Sequence, residues 1–310
     1  MFADSSLLQL AYVNETDWGV TPEVAPVFTP LRLTGESLRI DQEGVQSEEI
    51  EANRNVSDII QVGAGASGDI NFELSYGTFD DILAGLMCAD WATDVLTNGT
   101  KKKSLTFEKR FTVGASSYEF FRYRGMIPNT MSLSLTAREI ITGSFGFLGK
   151  GGTVASSAIA DATYDSASSS NVMSASAQFG SLGLGTLDPQ PSLLSLELEI
   201  TNNLREQPKL GSLDNAGVGL GRFEVTGSLE AYFENADVYN LFLNNSEFAL
   251  SFVLGSETGS KYQFDLGSVK LTDANVVAGG NNQDVMSSVN FQGLYNAGDG
   301  GSLVITRGVA

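Results

Sequence analysis

Histidine is absent from this 310-residue chain. That absence removes Ser-His-Asp and Cys-His catalysis, histidine-ligated zinc and imidazole proton relays together. Cysteine occurs once, at Cys88, so the chain can form neither an internal disulfide nor a cysteine-based zinc cluster. A lone thiol fits a reducing compartment. Positive charge is scarce: Lys and Arg total 18 against 37 Asp and Glu, a net charge of −19. Such a chain is ill suited to wrapping nucleic acid by neutralising phosphates, or to lying on an anionic membrane. No apolar run approaches the ~18 residues of a membrane-crossing helix. The first ten residues lack the basic and apolar segments of a secretory signal, so none is expected. No cofactor and no metal are expected, and an enzyme is the least favoured class.

What is present is enough for a core. Hydrophobic residues make up 42% of the chain and charged residues 18%, below the usual ~25% charged. Glycine is abundant, with 34 residues, which favours short strands joined by turns. The length suggests two domains, at ~150 residues each.

An internal repeat makes the same point. Sliding the chain by 159 sets residues 67–87 on 226–246. Ile70, Phe72 and Leu74 then align with Leu229, Ala231 and Phe233, alternating with Asp69, Asn71 and Glu73 in the first copy and Ser228, Glu230 and Tyr232 in the second. Period two predicts a strand with one buried face. The same slide sets Phe79, Ile82 and Leu83 on Val238, Leu241 and Phe242, the stripe of a short helix capped by Thr78 or Asp237. Asp80 and Asp81 suit its N-terminal end. Three further matches follow at offsets of 144 or 145: Leu105–Phe107 with Leu250–Phe252, Tyr118–Phe120 with Tyr262–Phe264, and Phe145–Gly149 with Val289–Gly293. The change of offset places an insertion at residues 88–104, which holds Cys88, Trp91 and the run Lys101–Lys103. The expected organisation is a first domain over 1–150, a Ser/Ala/Gly-rich linker over 151–190 and a second domain over 191–310.

Motifs that could carry chemistry have simpler explanations. Gly217–Phe223 (GVGLGRF) is followed by a strand pattern and not by the helix a dinucleotide loop needs, so it reads as a glycine turn. Gly63–Gly68 (GAGASG) reads as a loop end. Glu48 and Glu49 would point to opposite faces of a strand, and no acidic spacing matches an EF-hand loop. The Lys101–Lys103 run reads as a solvated or subunit-contacting patch. Residues 41–60 are polar and lack a clean period. A loop of that length is unusual in a compact domain and points to a functional arm. Its Glu48, Glu49, Glu51, Arg54 and Asp58 are the candidate contacts to a neighbouring subunit.

Segments 47–87 and 199–246, together with Val276–Asn296 (VVAGGNNQDVMSSVNFQGLYN), resemble the tail tube proteins of long-tailed bacteriophages. The resemblance implies a mainly-β (α+β) chain of two tandem β-sandwich domains, each with a short flanking helix. It also implies assembly into stacked rings around a channel for genome DNA, in the virion tail, after synthesis in the bacterial cytoplasm. The partners it implies are other copies of the chain, a tail terminator, a baseplate or tip, and a tape-measure protein. Two units per chain predict a homotrimeric ring with pseudo-sixfold symmetry. Three chains would carry −57 per ring, so double-stranded DNA is expected to pass without specific binding, along a wall for which Asp69, Glu73 and Glu230 are candidates. The alternative is another self-assembling β-protein of a surface layer, pilus or adhesin.

Overall fold

The computed structural model describes residues 4–50, 52–53, 55–114 and 117–309. The chain is mainly β. Eighteen strands join in one continuous hydrogen-bonded network, and the α-helices among the described residues are Asp80–Leu86 and Asp237–Leu243.

Alternating sequence builds the main sheet. Eight strands lie side by side, all antiparallel. In order they are Arg39–Gln46 (extended by Gly35–Glu36), Ile59–Glu73, Thr142–Gly149, Tyr118–Thr136, Leu193–Thr201, Glu224–Tyr232, Val285–Gly293 and Tyr262–Ala278. Ile70, Phe72, Phe145, Leu133, Leu198, Leu229 and Val289 turn one face of this sheet into core. Each such side chain contributes roughly 1.5–3 kcal/mol when fully buried.

A second layer covers that face. In the first half it is Leu105–Thr112 with Gln9–Asn14 and the beginning of Tyr118–Thr136. In the second half it is Phe248–Leu254 with Phe179–Leu184, Val304–Arg307 and the beginning of Tyr262–Ala278. Phe107 of the covering layer meets Phe147 of the main sheet edge-on, with ring centroids 4.9 Å apart. The two longest strands serve both layers and carry bulges at Pro128/Thr130 and Leu271/Asp273, where a bulge bends and twists the strand.

The two halves are structural repeats: Ile70 with Leu229 and Phe145 with Val289 keep the register of the sequence matches, whereas the covering strands and the helices do not. Ladder partners equate Met126 with Val269 and Phe107 with Leu250, an offset of 143. Tyr118 therefore does not occupy the place of Tyr262, and the two differ in exposure, 39% against 1%. A one-residue slip in a strand exchanges its faces. The helices correspond at 157: both end two residues before a left-handed residue, Cys88 (φ 49°) and Asn245 (φ 48°). Their N-caps are Phe79 and Ala236, neither with a side-chain cap bond, while Thr78 pairs with Ser75 at 2.7 Å. Shortening of the loop before the second helix hides this offset from a single sliding comparison.

The halves meet edge to edge inside the chain. Ser195 to Thr201 pair with Thr136 to Thr130, so the sheet runs unbroken from one repeat into the next. Residues 88–104 strap the junction: Val95–Thr97 pairs with Val304–Arg307, and Asn98 accepts from the Ser302 and Leu303 amides. Segment 151–190 is woven into the layers. Gly151–Ala155 and Thr163–Tyr164 cover the first half, and Phe179–Leu184 extends the second.

Candidate functional site

The middle rows of the main-sheet face opposite the core are polar, with Tyr232, Met286 and Val277 following at one end. Ladder partners share a face, so the register reads it out directly. One row runs Glu73, Thr142, Ser134, Glu197, Ser228, Asn290, Asp273; the next runs Asn71, Ser144, Ser132, Glu199, Thr226, Gln292. The carboxylates on this face are Asp41, Glu43, Asp69, Glu73, Glu197, Glu199, Glu224, Glu230 and Asp273. Each stands opposite a hydroxyl, an amide or a glycine, and none opposite another carboxylate. Directly opposed like charges would destabilise the ladder. Gly146 shows how tightly the face is arranged: a Cβ there would lie 2.3 Å from the Thr130 hydroxyl and 3.0 Å from an Asp69 carboxylate oxygen.

The sequence candidates Asp69, Glu73 and Glu230 lie together on this face, with Asn71 and Ser228. Asp41, Glu43, Glu197, Glu199, Glu224 and Asp273 join them from outside the repeat match. The alternation Leu196-Glu197-Leu198-Glu199-Ile200 was a legible signal for two of these. The cations on the face are Arg39, which pairs with Asp41 at 2.7 Å, and Lys270. The lysine run lies elsewhere. Lys101 and Lys103 both pair with Asp90, holding that carboxyl down to about 2, and Lys102 donates to the Val218 carbonyl at 2.7 Å.

The arm is a β-hairpin. Arg39–Gln46 pairs with the first part of Ile59–Glu73, and the Ser47 amide donates to the Asp58 carbonyl at 3.0 Å to close the ladder. Gly63–Gly68 is thus strand rather than loop, because both neighbouring strands supply hydrogen-bond partners. Glu48, Glu49 and Asp58 are exposed at the tip; Glu51 and Arg54 lie outside the described residues. The arm also exposes Val45, Ile50, Val56, Ile59, Ile60 and Val62. An apolar patch rimmed with acids marks an interaction surface. The second half's corresponding excursion, 202–223, forms the small hairpin Arg205–Gln207/Gly217–Gly219 and reaches the base of the arm, where the Ala64 amide donates to the Leu213 carbonyl at 3.0 Å.

The sheet ends in two edges without ladder partners among the described residues: Gly35–Asp41 and Asp273–Ala278. Beside the internal junction, Asp80 gathers the groups that lock the halves together. It accepts from the Tyr262 hydroxyl and, at 2.6 Å, from Arg307, whose guanidinium lies 4.5 Å from the Trp91 ring. Burial first, then Asp80, pushes the Tyr262 phenol up. Cys88 is buried and its thiol is pushed up to about 11 by burial, which suits packing rather than nucleophilic chemistry.

A family model described as phage tail tube protein matches residues 5–293. No curated protein matches the chain.

Proposed function

The chain belongs to the phage tail tube protein family, and from that premise we propose that three copies close a ring whose bore is the acidic face, and that rings stack into a conduit for genome DNA. The observation that supports this reading is the junction inside the chain. One repeat already joins the next through main-chain pairing of Ser195–Thr201 with Thr130–Thr136. The free edges are the same two elements one repeat further on. Applying the internal register to them sets Leu38 opposite Val276 and Arg39 opposite Asn275 of the next copy.

Size favours three copies. Eight strands per chain give twenty-four in a trimer, a barrel about 37 Å across before strand tilt widens it, whereas two copies would close at about 24 Å. Side chains lining the smaller bore leave no room for a duplex. Closure also removes both exposed sheet edges, which are otherwise an aggregation hazard.

The wall then has a clear role. DNA carries about one charge per 1.7 Å, and affinity for it comes from cations that release its counterions. A surface of hydroxyls, amides and carboxylates offers almost none. At ~0.15 M salt only charges within ~8 Å act strongly, so the wall carboxylates matter and the outer lysines do not. The arm, with its apolar and acidic surface, is the ring-to-ring contact. Terminator, baseplate and tape-measure proteins would meet the ends and bore of such a tube.

The test is a disulfide across the proposed junction. Arg39→Cys with Asn275→Cys should give covalent trimers on non-reducing gels, with buried Cys88 silent. Native mass spectrometry should show three chains per ring. Absence of an intermolecular product, or six chains per ring, overturns the proposal.

A further inference from the structure

The ring-closing edge of the first repeat is not bare. The Ser37 amide donates to the Asp69 carbonyl at 2.9 Å, so Ser37 faces the neighbouring strand of its own chain. Main-chain groups alternate along a strand, so those of Leu38 point the other way, to the free edge. Both are occupied. The Leu38 amide donates to the Glu36 carboxylate at 2.9 Å, and the Leu38 carbonyl accepts from Lys109 Nζ at 3.2 Å. Glu36 and Lys109 are themselves paired at 2.9 and 3.0 Å, with side chains only 12% and 9% exposed.

The second repeat is the internal control. By ladder register Glu36 corresponds to Leu196, and Lys109 to Phe252. Both are buried and apolar. Leu198, in the place of Leu38, is paired with Leu133 across the internal junction. Where the edge is permanently joined, the two positions are hydrocarbon. Where it is free, they hold an ion pair that caps the main chain.

We propose that Glu36 and Lys109 guard the interaction surface for the next copy of this chain, holding the Leu38 amide and carbonyl until the strand Asp273–Ala278 of that copy displaces them. This rests on the ring reading above and adds a residue-level control to it. The pair satisfies an exposed edge, as natural sheets do with inward-pointing charges. It also makes joining slower, because a buried ion pair must let go of two main-chain groups before the ladder can form.

The test replaces the pair as a pair, so that no unpartnered charge is buried. Glu36→Leu with Lys109→Phe copies the second repeat. Polymerisation of purified chains is followed by light scattering, alongside the Arg39→Cys/Asn275→Cys disulfide in both backgrounds. The expected result is a lag at least tenfold shorter than in the original chain, with unchanged disulfide trimers. If the junction disulfide forms but the lag is unchanged or longer, the guard is refuted and the ring reading stands. If the disulfide never forms, the ring reading fails and the guard with it. Should the double variant melt early by circular dichroism, Glu36→Gln with Lys109→Met, which buries no charge, frees the carbonyl alone and must still shorten the lag; no shortening rejects the proposal.

Discussion

Asp80 is the residue on which the joined repeats depend most visibly. Its carboxylate serves Tyr262 and Arg307 from the second repeat, and Tyr262 also accepts from the Gly77 amide at 2.8 Å. Tyr262→Phe removes a buried hydroxyl that serves both the Gly77 amide and the Asp80 carboxylate, and should lower unfolding free energy by roughly 1–3 kcal/mol in urea melts. Tyr12 and Tyr164 repeat the arrangement with Asp81 and Glu108, and in all three burial is the largest cause raising the phenol, ahead of the carboxylate. The native state therefore holds these protons more tightly than the unfolded chain, whose tyrosines ionise near pH 10. Their contribution is complete below that pH and is lost as pH rises beyond it. Thermal melts should fall steeply above about pH 10, and a triple phenylalanine variant should fall less steeply. A parallel decline in both would count against this account.

At the scale of elements, the two helices differ although they occupy corresponding places. Leu86 is fully buried beside the internal junction, where Asn202 donates to its carbonyl at 2.7 Å, whereas Leu243 in the second helix is 63% exposed. Leu243→Asp should leave the melting temperature of the single chain within a few degrees, since exposed substitutions rarely cost more than about 0.5 kcal/mol, yet weaken trimers at least tenfold by native mass spectrometry. The arm makes the complementary prediction. The described residues of its tip lie beyond the last ladder pair and contribute none to the core, so deleting residues 48–57 should leave rings intact and abolish long tubes in negative-stain micrographs. Long tubes from the deleted chain would remove the arm from the stacking contact.

At the scale of the whole molecule, the decisive property is the separation of charge. Carboxylates gather on one face of the main sheet, while Lys101, Lys103 and Lys109 are paired with Asp90 and Glu36 away from it. Glu197→Lys with Glu199→Lys would place six new cations in a trimeric bore. Assembled tubes of this variant should retain double-stranded DNA at low salt and release it as salt is raised, as phosphate neutralisation requires. Tubes of the original chain should retain none under the same conditions, measured by co-sedimentation.

What the amino-acid order determined by itself was local and periodic. Alternation around Ile70 and Leu229 sets which side chains enter the core, because a strand offers only two faces. The duplication marked two repeats, and the absence of histidine excluded imidazole chemistry. Tertiary structure alone decided the register. Bulges and a shortened loop shift the repeats by one or two residues, too little to erase similarity but enough to separate Tyr118 from Tyr262. Pairing across the sheet, between residues more than 60 positions apart, brought Glu197 and Glu199 beside Ser132 and Ser134. It also showed the arm to be a hairpin and set Glu36 and Lys109 on the Leu38 edge. These contacts depend on which strand lies next to which, and that choice is made by the packing of the whole sheet rather than by any segment alone.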